Sequence, residues 1–329
     1  MGLSRTFAFR SILFVAGMVA LSLSSRLCAQ ATSEPAEKPT TQPALPNIYD
    51  PAADAKAQIA NAAEKAKREN QRVLIMFGGN WCPWCHKLHG LLKSDQDIAK
   101  TLLYEYQLVL VDIGRSDKNT DIVSGYGLDL KKDGVPYLLV LDGEGKVVAR
   151  QETGALEAGD HHDPEKVAAF LKKWQAKPVD AEKLLADSLS RAAKDQKLVF
   201  VHLGAPWCPW CIRLDAFLAR KEIAEIIRTD FIDLKIDVDR MTNAKDVVQR
   251  LRKEEEGGIP WIVVLDAKGK VLATSDGPKG NIGYPAEPEE ISHFIGMLKK
   301  TTKRMTAEQI GQIEKALKDA AAKLKRPSP

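Results

Sequence analysis

The sequence predicts an α/β fold made of two tandem domains of one kind, followed by a C-terminal helix. Three observations predict it. Short buried-strand runs alternate with helical periodicity along the chain. The pentapeptide Trp-Cys-Pro-Trp-Cys occurs twice, at Trp81–Cys85 and Trp207–Cys211. The surroundings repeat too: Val73–Trp84 matches Val199–Trp210 at an offset of 126, and Pro136–Ala149 matches Pro260–Ala273 at an offset of 124. Self-similarity at a fixed spacing marks duplicated structural units.

The chain opens with Arg5 and Arg10 ahead of an apolar run, Ile12–Leu23, and Ala29-Gln30-Ala31 supplies the small residues of a cleavage site. Residues 1–31 therefore read as a secretory signal peptide. The run is short for a bilayer span, which takes about 20 apolar residues. Cys28 leaves with this segment, since Ser25-Arg26-Leu27 is a poor setting for a lipoprotein cysteine. Cleavage removes three arginines and no acid from a net charge of +4, leaving +1, so the basicity belongs to the targeting segment. No Lys/Arg cluster is interleaved with exposed aromatics, which speaks against nucleic acid.

Residues 32–50 are polar and proline-rich and read as an extended linker. Residues 51–176 are the first domain. A helix over Asp54–Asn70 leads to a buried strand, Val73–Phe77, ended by Gly78-Gly79. The first Cys motif follows, and Leu88, Leu91 and Leu92 continue a helical period beyond it. Further strands are Leu108–Ile113 and Tyr137–Leu141, the latter just after Gly134-Val135-Pro136. Asp142–Gly145 turns into Lys146–Arg150 as a hairpin. A helix from Pro164 to Trp174, capped by Asp163, closes the unit. Lys177-Pro178 marks the boundary, and residues 177–300 repeat the scheme from a helix at Ala181–Lys194. In the tail, 301–329, Ile310, Ile313, Leu317 and Leu324 are spaced for a helix that packs on the second domain.

Export places the four remaining cysteines where disulfides persist. Each pair encloses too short a loop to serve mainly as a staple, so the pairs read as reactive. A thiol at a helix N-terminus is shifted toward thiolate by unpaired backbone N–H groups and the helix dipole. Cys82 and Cys208 hold that position and are the attacking thiols. Cys85 and Cys211, one turn later, are placed to resolve a mixed disulfide.

The order strand, Trp-Cys-x-x-Cys, helix, and then Gly-Val-Pro or Gly-Ile-Pro opening a strand and hairpin, resembles the thioredoxin family, twice, over nearly all of 51–300. The resemblance implies a central mixed sheet flanked by helices in each domain. It implies cis peptide bonds before Pro136 and Pro260, each beside its Cys pair. The backbone of Val135 and Ile259 would pair with an extended substrate segment, with Trp81 and Trp207 bordering the same surface. The implied activity is thiol–disulfide exchange on protein thiols and disulfides, with a redox partner protein, no bound cofactor and no metal. After signal cleavage no membrane association is expected. The C-terminal Arg326-Pro327-Ser328-Pro329 is not an ER-retention signal, which favours the periplasm or the extracellular side.

The chain departs from the family's pattern in three ways. Thioredoxins carry a buried aspartate six residues before the first cysteine; here Met76 and His202 stand there. His202 is a candidate substitute base, against the simpler reading of a packed, hydrogen-bonded histidine. The dipeptide between the cysteines is Pro-Trp. Tyr137 and Trp261 follow the prolines, where they would line the substrate groove or else pack in the core. His86 lies one helical turn after Cys82 where the second domain has Ile212, so a cationic imidazole there would favour the Cys82 thiolate.

Other readings carry less. Cys82-Pro-Trp-Cys85-His86 also fits a haem-attachment signature, but the second motif lacks the histidine. A four-thiolate zinc site would require the two motifs to meet. Asp160-His161-His162-Asp163 reads as solvated capping residues ahead of a helix. The main alternative is a non-catalytic binding module for client or partner proteins, which the missing carboxylate favours.

Overall fold

A computed structural model describes residues 45–252 and 257–324. The signal-peptide assignment and the linker up to Ala44 lie outside the described residues. In the first domain α1 (Ala55–Glu69) leads into β1 (Arg72–Gly78), then α2 (Pro83–Ser94), α3 (Gln96–Glu105) and β2 (Tyr106–Asp112). The short helices α4 (Thr120–Gly125) and α5 (Leu130–Asp133) precede β3 (Tyr137–Leu141) and β4 (Val147–Glu152). A small hairpin, β5 (Glu157–Ala158) and β6 (His161–His162), leads to α6 (Pro164–Trp174). Asp54 caps α1 and Asp163 caps α6 by accepting backbone N–H bonds, and Pro164 sits at the first position of α6.

The second domain runs α7 (Ala181–Asp195), β7 (Leu198–Gly204), α8 (Pro209–Leu218), α9 (Lys221–Asp230), β8 (Phe231–Asp237) and α10 (Ala244–Leu251). It continues with β9 (Trp261–Leu265), β10 (Val271–Thr274), the hairpin β11 (Asp276–Gly277) and β12 (Gly280–Asn281), and α11 (Pro288–Thr301); α12 (Ala307–Leu324) follows. The sheets are ordered β2-β1-β3-β4 and β8-β7-β9-β10. In each, the first two strands are parallel and the others antiparallel, a mixed sheet as the family resemblance implies. The registers agree as well: Val73 faces Leu141 as Val199 faces Leu265.

Alternation along the central strand separates two cores. Val73, Ile75 and Phe77 pack toward α1, whereas Leu74 and Met76 pack toward α2, α3 and α6. Val199, Val201 and Leu203 pack with α7 and α10, and Leu198 and Phe200 with α8, α9, α11 and α12. Tyr137 and Trp261 lie in the cores on the α1 and α7 sides, so they do not line a substrate groove. Their positions on all-buried strands leave no exposed face for a side chain to take.

Ile48 and Tyr49, which the sequence assigns to the linker, pack into the first domain. Apolar side chains at that end of a proline-rich stretch find buried partners, and Tyr49 is 1% exposed. Helix α12 places Ile310, Ile313 and Leu317 in the core of the second domain, with Leu324 against it. Its approach is fixed by Asp230, buried at the end of α9. One oxygen of that carboxylate accepts from the Thr302 hydroxyl and from the N–H groups of Lys303, Arg304 and Met305, the last two at 2.8 and 2.9 Å.

Burial opposes the Asp230 charge, but these donors outweigh it and hold the carboxyl below its ordinary value. A lowered folded-state pKa stabilises the fold above the ordinary aspartate range and loses that contribution as pH falls through it. Asp230→Ala should cost about 2 kcal/mol, the scale of a hydrogen-bonded buried charge. It should lower the urea midpoint at pH 7 and expose residues 302–306 to limited proteolysis, and the difference from wild type should shrink on acidification below pH ~4.

Candidate active sites

Each Cys motif begins where the central strand of its sheet ends. Cys82 and Cys208 are the N-cap residues of α2 and α8, with extended backbone, and Pro83 and Pro209 start the helices. The backbone N–H of Cys85 donates to Cys82 Sγ at 3.1 Å, and that of Cys211 to Cys208 Sγ at the same distance. In both domains the two sulfurs are joined in a disulfide. The resolving cysteines are the deeper ones: Cys85 is 0% and Cys211 1% exposed, against 3% for Cys82 and Cys208.

The Val135–Pro136 and Ile259–Pro260 peptide bonds are cis. Cys82 Sγ lies 3.6 Å from the carbonyl oxygen of Val135, and Cys208 Sγ 3.5 Å from that of Ile259. The structure thus brings cysteine pair and proline loop together twice, and the exposed Trp81 and Trp207 border the two sites. The Trp81 indole donates to the Gly114 carbonyl; that of Trp207 donates to Asp239 at 2.7 Å. Tyr104, from the first domain, donates to the same Asp239 oxygen at 3.1 Å.

The surroundings differ. The His86 imidazole is turned onto the Asn80 carbonyl oxygen, 2.9 Å away, while Ile212 is exposed. Trp84 meets His162 edge-on, and Trp210 stacks on Tyr284. His162 is buried, neither ring nitrogen hydrogen-bonded among the described residues, so it is not the solvated residue its loop context suggests. The short β5–β6 pairing turns it inward while leaving His161 exposed. Burial, then the charges of Lys87 and His161, push its pKa down. No group of three or more His, Cys, Asp or Glu residues is arranged to hold a metal among the described residues.

Met76 lies in an apolar cluster with Cys82 and Cys85. His202 lies in a charged one, its Nδ1 3.3 Å from Asp215 and its Nε2 3.3 Å from Asp233. Lys235, opposite His202 on β8, pairs with Asp215 at 2.5 Å and with Glu69 of the first domain. A Cβ built on Gly204 would lie 3.5 Å from Cys211 Sγ and 3.9 Å from Lys235 Cε, so this network backs the second pair. Burial would lower the His202 pKa, but the charges of Asp233 and Asp215 and hydrogen bonds to them raise it to about 9. The imidazole is therefore cationic at neutral pH and is not a free base. Burial likewise disfavours the Lys235 charge, and Glu69 and Asp215 overcome it to raise its pKa.

Asp215, Lys235 and Glu69 escaped the reading of the sequence. Asp215 had a signal, being one helical turn after Cys211. Lys235 is the lone cation of β8, between Asp233 and Asp237, but nothing local pairs it with Glu69, 166 residues away.

Residues 59–163 match the family described as Thioredoxin-like domain, and residues 163–325 match Thioredox_DsbH, described as Protein of unknown function, DUF255. The chain belongs to the thioredoxin family. Among solved structures, it is similar to the disulphide isomerase of Xylella fastidiosa Temecula1, at 31% identity over 40% of this chain and 98% of that one, with a TM-score of 0.36. It is also similar to a DsbH oxidoreductase, at 22% identity over 38% and 86% of the two chains and a TM-score of 0.28. None of the curated proteins matches the chain. Fold and family support a thiol–disulfide oxidoreductase-type function. No helix among the described residues is long and apolar enough to cross a membrane.

A folded-state pKa near 9 makes His202 stabilising in full below its ordinary value of 6.5, and that contribution is lost as pH rises through 9. Nuclear magnetic resonance should place the His202 ring titration near 9, and Asp215→Asn should move it down. The denaturant midpoint of the second domain should fall between about pH 6.5 and 9. That fall should vanish in His202→Met, which copies the residue at position 76.

Proposed function

We propose that this chain is an exported thiol–disulfide oxidoreductase that acts on protein thiols and disulfides through both Cys-x-x-Cys sites. The observation that carries the reading is the paired geometry. In each domain the first sulfur caps a helix N-terminus and faces the carbonyl before a cis-proline. Cys82 or Cys208, as thiolate, attacks one sulfur of a substrate disulfide and expels the other as a thiolate. Cys85 or Cys211 then attacks the first sulfur, forms the internal disulfide and expels the remaining substrate sulfur. Two electrons pass from the dithiol to the substrate, and the reverse sequence oxidises a substrate dithiol. A redox partner protein of the same chemistry restores the starting state, so no bound cofactor enters. Val135 and Ile259 offer backbone groups beside the attacking sulfurs, and Pro136, Pro260, Trp81 and Trp207 border the substrate segment. The N-terminal sequence supports export, with the periplasm or the extracellular side as the destination.

His86 is proposed as a modulator of the first site; equal alkylation rates of Cys82 across pH in wild type and His86→Ile would remove it from that role.

Cys85→Ser and Cys211→Ser should each accumulate mixed disulfides with client proteins, visible as reductant-sensitive adducts on non-reducing gels. Adding Cys82→Ser or Cys208→Ser to the matching variant should abolish them. Wild type should reduce insulin in the presence of dithiothreitol well above the rate of dithiothreitol alone. Cysteines that stay oxidised in that reductant and trap nothing would instead identify a binding module.

A further inference from the structure

Tyr49 reaches the first site from the segment ahead of α1. Asn80, two residues before Cys82, holds it there. The Asn80 Oδ1 accepts from the N–H groups of Ile48 and Tyr49, and its Nδ2 donates to the Tyr49 carbonyl, all at 2.9 Å. The side chain is buried in the cluster that contains Met76, Cys82, Cys85 and Leu88. Its hydroxyl makes no hydrogen bond among the described residues. A Cβ built on Gly78 would overlap the Tyr49 hydroxyl oxygen and lie 2.5 Å from Cys85 Sγ. Hydroxyl oxygen and resolving sulfur therefore both border one point beside Gly78, within 2.5 Å of it.

A buried hydroxyl without a partner is destabilising, and its persistence calls for a state in which a partner exists. A disulfide sulfur is a poor acceptor, whereas a thiolate sulfur is a charged one and accepts strongly. Burial, with the Asp112 charge adding to it, pushes the Tyr49 phenol far up, so it keeps its proton and acts as a donor. The titratable groups nearby are Asp112, at the end of β2 and 3.3 Å from Lys118, and His86 on α2, which faces Asn80. The rest of the cluster is apolar. At Gly204 the corresponding space is met by Cys211 and the Lys235 stem, with no tyrosine.

We propose that the Tyr49 hydroxyl is the hydrogen-bond donor that stabilises the Cys85 thiolate, in place of the ionisable group that Met76 does not supply. Cys85 releases its proton to solvent while Tyr49 retains its own and donates to the sulfur. The thiolate attacks Cys82 Sγ of the mixed disulfide. The Cys82–Cys85 bond forms, the bond to the substrate sulfur breaks, and the substrate leaves as a thiolate that takes a proton from water. The proposal rests on the first pair cycling between disulfide and dithiol.

The test follows the glutathione adduct on Cys82 after mixing reduced full-length protein with oxidised glutathione, by quenched mass spectrometry of each cysteine peptide. The second pair is the internal reference. In Tyr49→Phe, resolution by Cys85 should slow about tenfold at pH 7, the scale of a hydrogen bond to a charged group. Its pH midpoint should rise by about one unit, and adduct formation at Cys82 and turnover of the second pair should be unchanged. In the unsubstituted protein, the Tyr49 hydroxyl proton resonance should move downfield when the first pair is reduced, a readout independent of how well the variant folds. A wild-type first pair that forms no glutathione adduct overturns the oxidoreductase reading and this proposal with it. If wild type cycles but Tyr49→Phe matches it across pH, or the hydroxyl resonance does not move on reduction, the tyrosine assignment alone fails.

Discussion

The contact on which both sites depend is the bond from a backbone N–H, one turn into a helix, to the first sulfur of each pair. It is 3.1 Å long in both domains. A helix start leaves N–H groups without intrahelical partners, and an oxygen-bearing side chain ordinarily takes one of them. Sulfur in a disulfide is a weak substitute, whereas a thiolate gains from both the N–H and the dipole. The helix start is thus better satisfied by the reduced, charged state. The rest of the fold supplies the conditions for this junction. A central strand, buried from Val73 on in the first domain and throughout in the second, carries the chain to the end of the sheet, and a glycine closes it where the helix must approach. A cis-proline loop then brings a carbonyl to within 3.6 Å of the same sulfur.

Beneath that shared junction the two domains take opposite routes. The first backs its resolving cysteine with an apolar cluster that includes Met76, Leu88 and Tyr49, and the Tyr49 hydroxyl comes up beside the sulfur at Gly78. The second uses a cationic histidine, a lysine and carboxylates, with charge matched by partners at 2.5 to 3.3 Å. In an apolar setting a thiolate depends on the few dipoles aimed at it, while in a charged one it responds to the net balance of the cluster. One fold with one motif therefore presents its buried sulfur with two different electrostatic environments.

The sequence carried the architecture well where the signal was local. Strand Tyr137–Leu141 and helix Pro164–Trp174 sit where an apolar run after Gly-x-Pro and an Asp-Pro cap placed them. Helices α3 and α9 are not legible in the sequence, because only one residue separates α3 from α2 and two separate α9 from α8, and a continuous helical period hides the break. In α3 the break is Asp95, whose side chain accepts from the N–H groups of Asp97 and Ile98, the second and third residues of the new helix. The cysteines and prolines of the sites were legible through duplication. The residues behind them were not. Tyr49 precedes the domain in a stretch whose prolines suggest solvent, and it is recruited by Asn80 across 31 residues. The charge on His202 depends on two carboxylates from different elements, which a single strand pattern does not reveal.

The same non-local character ties the domains together. Arg240 of the second domain donates to the carbonyls of Glu69 and Asn70, where α1 ends with unsatisfied acceptors, and to the Glu105 carboxylate at the end of α3. Asn70 in turn donates to the Lys177 carbonyl at the domain boundary. A guanidinium serves this role because its planar fork can hold two carbonyls and a carboxylate at once. The neighbouring Lys235 shares its charge between Glu69 of the first domain and Asp215 beside the second cysteine pair. Removing one partner of a buried pair leaves a charge uncompensated, at a cost of about 3–5 kcal/mol. Separating the domains would leave Lys235, Arg240 and Asp239 short of partners together. The second site is therefore electrostatically complete only with the first domain in place, so the duplicated units work as one protein rather than as two beads on a string.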